Sequence, residues 1–451
     1  MPHNTTHKKT ALFTTLGCRL NQFETDALAS QFEKNGWQVF SSNDSQTKHI
    51  LPKQVDCSII NTCTITGKAD RKSRNMINRS LRFKPKLTII TGCGIENYRN
   101  LKEKSDDPVF LVENTQKSSI FELVESFFAG NSNKLTQNLN DFLFESFPED
   151  IFSYQGTAFH TRSAIKIQDG CDNYCSYCII PYVRGRGSSR PTADILTEMK
   201  RMIESGTRDI TLTGINISRY QWEDISFQHL LREILQLDGD FRLRLSSLEP
   251  DKLNDGFADI LSHPKMSKHI HICLQSGSDA VLKRMRRMYS YDDFRKIIQA
   301  IRNKNPKFNI TTDIITGFPG ETDEEFAASL RAIEELQFGH VHIFPYSARK
   351  GTRAAKFQQL PSAVVKQRRE RLQLVADKSK KSVYDSFIGS TQLVLIEQVN
   401  DSHFPHQASG YGEFYIPIRI EGQVPIKKNT FIQVKILESD KSGLLGKIIS
   451  S

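Results

Sequence analysis

Short apolar runs alternate with amphipathic stretches over roughly the first 125 residues of the chain. The apolar runs predict buried strands, and the stretches in which apolar residues recur every three or four positions predict helices. The predicted strands cover 10–17, 55–61 and 86–92, and the predicted helices cover 22–34 and 68–82. Strands that alternate with helices in this way predict a doubly wound parallel sheet.

A polar stretch without periodicity, 126–158, predicts a linker, and a second strand–helix series follows it. Its predicted strands are 163–168, 208–213, 241–246, 270–274, 308–315 and 340–344, and its helices include 192–205 and 291–303. Six such units are two fewer than a closed eight-fold barrel needs, so the pattern predicts an open, partial (βα)6 TIM-like barrel.

The last part of the chain changes pattern again. A charged helix over 362–387 precedes four β-rich segments, which are 391–399, 412–420, 430–437 and 446–449. They predict a small β-barrel of about 60 residues. The fold class is therefore α/β with a C-terminal small β-barrel, and the predicted domains are 8–125, 159–388 and 389–451, with 126–158 as the linker.

Composition narrows the class of protein. The chain has 451 residues, eight cysteines and a formal net charge of +10. Its first residues lack the apolar core of a signal peptide and no apolar run approaches the length of a membrane span, so we expect a cytoplasmic protein without a membrane partner. Cysteines in that compartment indicate metal or catalytic use rather than disulfides.

The positive charge is concentrated beside cysteines. Lys68, Arg71, Lys72, Arg74, Arg79 and Arg82 follow Cys63; Arg184, Arg186 and Arg190 follow Cys178; Lys283, Arg284, Arg286 and Arg287 form a third group. Any one group alone is typical of a solvated helix face, but three together favour a nucleic-acid partner.

Cys171, Cys175 and Cys178 form a C-x3-C-x2-C pattern with no fourth cysteine or histidine close behind. A structural zinc site takes four protein ligands, whereas three thiolates suit a 4Fe–4S cluster in which one iron keeps an open coordination position. A zinc knuckle or a set of reduced buried thiols is the alternative interpretation.

Three further cysteines stand where predicted strands of the first domain end. Cys18, Cys63 and Cys93 each follow one of these strands, and the carboxyl ends of parallel strands meet at one edge of a sheet. We expect the three thiols to converge there, the alternative being that each is a small buried hydrophobe. Cys57 and Cys273 lie inside apolar strand patterns, so we expect both to be buried.

The whole chain resembles the radical SAM methylthiotransferases, enzymes that insert sulfur into a substrate and then methylate it with S-adenosylmethionine (SAM). The resemblance is carried, in family order, by GCRLNQFETD, NTCTITGKADRKSR, TGCG, DGCDNYCSYCIIPYVRG, LTGIN, RLSSLEP, LQSGSD and GFPGETDEEF. It implies an N-terminal cluster domain, a radical SAM core and a C-terminal TRAM domain that contacts RNA. It also implies two 4Fe–4S clusters, two SAM molecules per turnover and a reducing electron-transfer protein as partner.

The resemblance assigns roles to particular positions. Cys171, Cys175 and Cys178 would hold the cluster that binds SAM, and Cys18, Cys63 and Cys93 a second cluster that presents the sulfur. The residues expected near SAM are Tyr177, Ile179, Gly214, Ser246, Ser247, Glu249 and Asp313. The residues expected to contact RNA are Arg71, Lys72, Arg74, Arg184, Arg186, Tyr411 and Tyr415. The aromatic residues Phe404, Tyr411, Phe414 and Tyr415 are expected to be exposed among lysines, as RNA-stacking residues are, although strand aromatics are more often core.

Within the family, GCRLNQFET and NTCTITGKADRKSR look most like the branch that modifies threonylcarbamoyladenosine next to the anticodon of tRNA. The expected partner is therefore the anticodon stem-loop of tRNA and not DNA. Isopentenyladenosine in tRNA and an aspartate of a ribosomal protein are the alternative substrates, and a non-catalytic iron–sulfur RNA-binding protein is the alternative of a different class. The sequence departs from the family at TGCG-Ile-Glu, where TGCYAQ is usual. The GFPGET segment predicts only a tight turn and a helix cap at Thr322.

Overall fold

The computed structural model describes residues 8–42, 54–101, 108–130, 163–253, 256–399, 408–421 and 426–449. Their contacts divide them into two compact units. The first contains the residues up to 130 together with 164–172 and 178–188, and the second contains residue 163, residues 173–177 and the chain from 189 onwards. Two segments after residue 159 thus count with the first unit, while the division into domains 8–125, 159–388 and 389–451 stays a prediction.

The first unit is built on a five-stranded parallel sheet in the order β2-β1-β3-β4-β5. Its strands are β1 (Thr10–Thr15), β2 (Gln38–Ser41), β3 (Cys57–Thr62), β4 (Leu87–Gly92) and β5 (Val109–Val112). Its helices are α1 (Arg19–Lys34), α2 (Gly67–Leu81) and α3 (Ile120–Phe128). The predicted strands and helices of this part are confirmed, and the structure adds β2, β5 and α3. Because α3 extends to Phe128, the first residues of the segment predicted as a linker are helical. The rest of that segment, from residue 131, lies outside the described residues.

Helices cover both faces of this sheet. Ile59 and Ile89 pack on one face in a cluster that includes Phe32 of α1 and Val124 of α3. Ile60 and Ile90, the next residues along the same strands, pack on the opposite face of the sheet with Ile77 of α2. Because successive residues of a strand face opposite sides, the continuous apolar runs of β3 and β4 serve both cores, and the doubly wound prediction is confirmed.

The second unit carries the later strands of the α/β series. After the linker, β6 (Ser163–Lys166) and β7 (Gln168–Asp169) lie almost wholly in the first unit, and β8 (Ser188–Ser189) lies at the boundary. The strands of the second unit are β9 (Asp209–Thr213), β10 (Gln221–Trp222), β11 (Ile225–Ser226), β12 (Arg242–Leu245), β13 (His269–His271), β14 (Asn309–Thr316) and β15 (His340–Pro345). β9 pairs with β12 in parallel, and β13, β14 and β15 pair in parallel in that order. Isolated parallel bridges at Leu243–Met266 and Leu248–Ile272 continue the succession from β12 towards β13.

Helices separate these strands as the alternating pattern predicts. They are α4 (Ile180–Val183), α5 (Thr192–Glu204), α6 (Phe227–Leu235), α7 (Phe257–Leu261), α8 (Asp279–Met285), α9 (Tyr291–Lys304), α10 (Asp323–Leu336) and α11 (Ser362–Asp385). The predicted cap of α10 is confirmed, since Thr322 and Glu325 form a reciprocal capping box.

The C-terminal strands close into a barrel in the order β16-β17-β18-β20-β19. They are β16 (Thr391–Val399), β17 (Ala408–Tyr411), β18 (Pro417–Glu421), β19 (Phe431–Asp440) and β20 (Gly443–Ile448). The prediction of one strand over 412–420 was wrong: the chain turns at 412–416, where Tyr415 takes a positive φ of 56°. Within the described residues, no helix is long and apolar enough to span a bilayer.

Candidate functional site

The structure brings Cys18, Cys63 and Cys93 together at one edge of the first sheet. Each follows one of three adjacent parallel strands, β1, β3 and β4. The thiols are close enough for each to act electrostatically on the others. Burial, above all, raises the pKa of the Cys63 thiol to about 11 and also raises that of Cys18.

Glycines precede two of these cysteines because the chain turns sharply there. Gly17 has a φ of 107° and Gly92 a φ of 98°, in the region that L side chains rarely adopt. A Cβ on Gly17 would lie 2.9 Å from Cys63 Cβ, and one on Gly92 would overlap the backbone of Thr62. The turns therefore bring the cysteine loops into close contact.

A buried arginine contacts this group of thiols. The Nε of Arg184 donates to Cys93 Sγ at 3.1 Å, and the rest of its guanidinium binds three side chains of the same unit. Nη2 donates to Asn21 Oδ1 at 2.7 Å, and Nη1 donates to Glu24 Oε1 at 3.0 Å and to Asp169 Oδ2 at 3.0 Å. Four acceptors fix the plane of the guanidinium, so its contact with the sulfur is directional.

Two buried lysines complete this network. Lys117 Nζ lies 2.5 Å from Glu24 Oε2, and Lys166 Nζ lies 3.3 Å from Glu24 Oε1 and 2.7 Å from Asp169 Oδ2. Burial alone would raise the pKa of Glu24, but Arg184 and the two lysines hold it well below its usual range. Three cations face two carboxylates, which leaves one buried positive charge beside the cysteines.

The prediction that Arg184 contacts RNA was wrong, because its side chain is fully buried in this network. Arg186, two residues later, is 86% exposed and pairs with Asp172 at 3.0 Å. Arg71, Lys72 and Arg74 are exposed on α2, as the prediction requires.

The C-x3-C-x2-C loop starts at a constrained turn. Gly170 has a φ of 66°, and a Cβ there would overlap the carbonyl of Arg186. Cys171 N–H donates to Gly185 O at 3.1 Å, which ties the loop to the segment that carries Arg184. Cys171 and Cys178 count with the first unit and Cys175 with the second.

In the second unit a second buried arginine contacts a cysteine sulfur. Arg287 Nη1 donates to Cys175 Sγ at 3.3 Å and to Tyr177 Oη at 3.4 Å, while Nη2 pairs with Glu249. Its Nε donates to Tyr289 Oη at 3.0 Å. The sequence grouped Arg287 with Lys283, Arg284 and Arg286 as a solvated helix face or nucleic-acid contact, but its side chain is only 2% exposed.

The residues predicted to lie near SAM follow strands of the second unit. Gly214 follows β9, and Ser246, Ser247 and Glu249 follow β12. Within the described residues, Ser246 Oγ is buried with no hydrogen-bond partner, which fits a ligand atom at that position. Tyr177 is half-buried in an apolar cluster with Ile315 and Phe318.

Asp313 lies within β14 in a polar group. Its Oδ1 lies 3.2 Å from His271 Nε2, and Cys273 Sγ lies 3.7 Å from its Oδ2. Burial alone would raise the pKa of Asp313, but His271 and His342 keep it below its usual range. Cys57 and Cys273 are buried as predicted, and among the described residues, which include all eight cysteines, none forms a disulfide.

The aromatic residues of the C-terminal barrel do not form the exposed surface that was predicted. Phe414 is buried in the barrel core. Tyr415 is half-buried, with Arg244 over its ring at 4.1 Å and the His269 ring centroid at 4.9 Å. Tyr411 is half-buried and stacks on Tyr415 at 4.8 Å. Phe404 lies outside the described residues.

Sequence reasoning missed Asn21, Glu24, Lys117, Lys166 and Asp169. The signal for two of them was present, because Asn21 and Glu24 lie three and six residues after Cys18 on the buried side of α1. Polar residues at buried helix positions need partners. Nothing local in the sequence shows which partners they have.

Two family models match the chain. The radical SAM superfamily matches residues 165–333, and a family described only as uncharacterized protein family UPF0004 matches residues 10–112. The second match covers the sheet that carries Cys18, Cys63 and Cys93.

Curated relatives align over nearly the whole chain. A threonylcarbamoyladenosine tRNA methylthiotransferase MtaB of Chlamydia pneumoniae is 34% identical over 96% of this chain and 97% of its own length. The enzyme of the same name from Bacillus subtilis is 31% identical, with 95% and 94% covered. A tRNA-2-methylthio-N(6)-dimethylallyladenosine synthase of Endomicrobium trichonymphae is 32% identical, with 86% and 89% covered.

A solved structure shares the fold. The radical S-adenosylmethionine methyltransferase TsrM from Kitasatospora setae, with cobalamin and a [4Fe-4S] cluster bound, superposes with a TM-score of 0.55 at 16% identity. The match covers 75% of this chain and 72% of that one. It confirms the predicted α/β fold class.

The donor groups of the first unit fit an iron–sulfur cluster. Three thiols at one sheet edge offer three thiolates, and a cluster held by three thiolates is anionic, so the buried positive charge beside them favours it. Hydrogen bonds to cluster sulfurs are a known means of tuning such sites. With this site and with relatives at 30% identity or more over almost its whole length, the chain belongs to the radical SAM methylthiotransferases.

Proposed function

We propose that this protein adds a methylthio group to C2 of N6-threonylcarbamoyladenosine next to the anticodon of tRNA. The observation that carries the proposal is that one chain combines the C-x3-C-x2-C loop with a separate edge where Cys18, Cys63 and Cys93 meet beside Arg184. A radical SAM enzyme that only cleaves SAM has no need of the second set of thiols.

Cys171, Cys175 and Cys178 would hold the cluster that binds SAM, and Cys18, Cys63 and Cys93 the cluster that holds the sulfur. When bound, the first supplies the electron that cleaves SAM and the second supplies sulfur. The chain's own residues orient the ligands: Arg184 donates to Cys93 Sγ and Arg287 to Cys175 Sγ. Ser246 Oγ, buried without a partner among the described residues, is available to hydrogen-bond SAM.

RNA is the proposed substrate because several exposed basic residues could contact its phosphate groups. Arg71, Lys72 and Arg74 share the exposed side of α2, the helix that follows Cys63. Basic side chains that remain in solvent are the ones that contact phosphates. A reducing electron-transfer protein in the cytoplasm would complete the system.

Iron content tests the cluster assignment. Anaerobic reconstitution of the full chain should give about eight irons per chain, falling by half when Cys171, Cys175 and Cys178 are replaced by alanine. Replacing Cys18, Cys63 and Cys93 should remove the other half, while Cys57→Ala should leave the count unchanged. One zinc per chain would contradict the proposal.

Nucleoside analysis tests the substrate. Mass spectrometry of tRNA from a deletion strain should show loss of the methylthio form of threonylcarbamoyladenosine, restored by the wild-type gene and not by the Cys93→Ala variant. Loss of the methylthio form of isopentenyladenosine would instead assign the chain to the reaction named for the Endomicrobium relative.

A further inference from the structure

A basic pocket of about 370 Å³ opens beside the end of α8 in the second unit. Lys283, Arg284, Arg286 and Arg353 line it together with the ring of Phe357. The volume suits a small polar group and its attachments rather than a broad protein surface.

Most of the charge in this pocket is uncompensated. Arg284 is neutralised, because its Nη1 donates to Glu325 Oε1 at 2.9 Å. Lys283, Arg286 and Arg353 are exposed, and within the described part of the chain none of the three forms an ion pair. Three cations thus converge on one concave surface without an anion of the protein.

A helix C-terminus explains only part of this group. Lys283 and Arg284 lie in the last turn of α8, where cations stabilise the helix. Arg286 lies after the helix end, in a left-handed conformation with a φ of 58°, and Arg353 comes from a different segment. Arg286 is the C-cap residue and is still close to the helix end, whereas Arg353 is not accounted for by the helix.

The walls of the pocket are fixed to the loop of the cluster cysteines. Ser176, between Cys175 and Cys178, donates from its N–H to Met285 O at 3.0 Å and from its Oγ to Arg284 O at 2.8 Å. Its own carbonyl accepts from Ala354 N–H at 2.7 Å. Both basic segments are thereby held at a set position relative to that loop.

The floor beneath these walls is an apolar cluster. Val281, Met285 and Phe318 are buried in it, and Phe357 packs against it at the pocket surface. This packed apolar cluster holds the segments that carry the basic residues in position before a ligand binds. Less conformational entropy is then lost when a ligand binds to the pocket.

We propose that this basic pocket binds a backbone phosphate of the RNA substrate and so positions the neighbouring nucleotide at the loop of Cys175. The inference rests on the proposed function. Arginine guanidinium groups match phosphate oxygens in a bidentate geometry, and the ring of Phe357 offers a surface to the adjoining sugar or base. An acidic electron-transfer protein would be attracted by the same charge, but a concave pocket with an aromatic wall fits a nucleotide better than a protein surface.

The test is RNA binding by the reconstituted full chain at several salt concentrations. The probe is bulk tRNA extracted from a deletion strain, and the variant is Arg286→Ala/Arg353→Ala. The matched control is Lys200→Ala/Arg201→Ala, which removes the same charge from exposed positions of α5. Cluster absorbance and circular dichroism of each variant report whether it is folded.

The pocket variant should bind tRNA about ten-fold more weakly, as expected for loss of charge-assisted hydrogen bonds. Its plot of log affinity against log salt should be shallower by about 0.7–1 for each lost phosphate contact. The control should match the wild type in affinity more closely than the pocket variant does.

Equal affinity and slope in the pocket variant and the wild type would overturn the pocket assignment alone. A pocket variant that binds tRNA normally but is reduced more slowly by an acidic flavoprotein would also overturn the RNA assignment. That result would assign the pocket to the electron-transfer partner. A wild-type chain that binds no tRNA would contradict the proposed function itself.

Discussion

Arg184 shows how one residue connects charge balance to a proposed cluster site. Its guanidinium holds Glu24, Asp169 and Asn21 and still donates to Cys93 Sγ. A hydrogen bond to a charged group contributes about 1.5–3 kcal/mol to stability, and Arg184 donates to two buried carboxylates. Arg184 therefore affects both the stability of the first unit and the environment of the thiols.

Two substitutions separate those effects. Arg184→Gln should lower the free energy of unfolding by a few kcal/mol, because Glu24 and Asp169 each lose a charge-assisted hydrogen bond while Lys117 and Lys166 still balance their charge. Arg184→Lys keeps the charge but not the directed Nε–H, so it should remain folded and bind the cluster of Cys18, Cys63 and Cys93 about 10–100-fold more weakly.

The measurement is iron content and EPR in a background that lacks Cys171, Cys175 and Cys178, where only the proposed second cluster remains. Arg287→Lys in that background is the control, because Arg287 contacts Cys175 rather than Cys93. An unchanged spectrum and iron content in Arg184→Lys would mean that the hydrogen bond to Cys93 has no role at the cluster.

His340 gives a prediction about pH. Burial lowers its pKa to about 4, with His342, Lys380 and His271 adding to the effect and Asp377 opposing it. In the unfolded chain the pKa of a histidine is about 6.5. Between pH 4 and pH 6.5 the unfolded state therefore binds more protons than the folded state. Stability is then full above pH 6.5 and is lost as the pH falls towards 4.

Replacing His340 by glutamine should flatten this part of the stability curve. Urea unfolding of the wild type and the variant at intervals from pH 7.5 to 4.5 measures it. The slopes of the two plots of unfolding free energy against pH should differ most between pH 6.5 and 4.5. Parallel curves would show that His340 does not carry the dependence.

At the scale of elements, the loops after β1 and β4 depend on glycine. Gly92→Ala would place a methyl group against the backbone of Thr62 at a φ of 98°. The loop of Cys93 must shift to relieve this overlap, so we expect the variant to bind less iron in the background without Cys171, Cys175 and Cys178. Gly36→Ala, also at positive φ but with nothing within 4 Å, is the control for backbone strain without a clash.

The sequence predicted these elements well where periodicity decides the structure. The apolar runs of β3 and β4 are buried throughout and could only be strands of a covered sheet. The positions of Cys18, Cys63 and Cys93 at strand ends followed from the same pattern. Short elements such as β2 and α3 were missed, because four to nine residues give little periodic signal.

Burial of individual charged residues could not be predicted. Arg184 and Arg186 are two residues apart in one basic segment, yet one is buried and the other is largely exposed. The difference depends on Glu24 and Asp169, which are distant in sequence and meet Arg184 only in the folded unit. Arg287 and Arg286 differ in the same way.

At the scale of the second unit, the C-terminal barrel packs on the amino ends of the core strands. Arg242, His269 and Asn309 are the first residues of β12, β13 and β14. Arg242 Nη2 donates to Leu393 O at 2.9 Å, and Asn309 Nδ2 donates to Phe414 O at 2.8 Å. The barrel thus contacts the end of the strands opposite to the loops that carry Cys175, Gly214 and Ser246.

Tyr415 lies in the contact between the C-terminal barrel and the core strands, and its substitution tests that contact. Tyr415→Ala removes the ring that lies against Arg244, His269 and Tyr411. Loss of a fully buried aromatic side chain costs about 3–5 kcal/mol, and loss of this half-buried ring should cost less than that. We expect a lower unfolding temperature for this variant and a near-normal one for Tyr415→Phe, which keeps the ring contacts. Differential scanning calorimetry measures both. If instead Tyr415→Ala left the unfolding temperature unchanged and weakened tRNA binding at every salt concentration, the ring would be an RNA contact, as the sequence suggested, and not a packing residue between barrel and core.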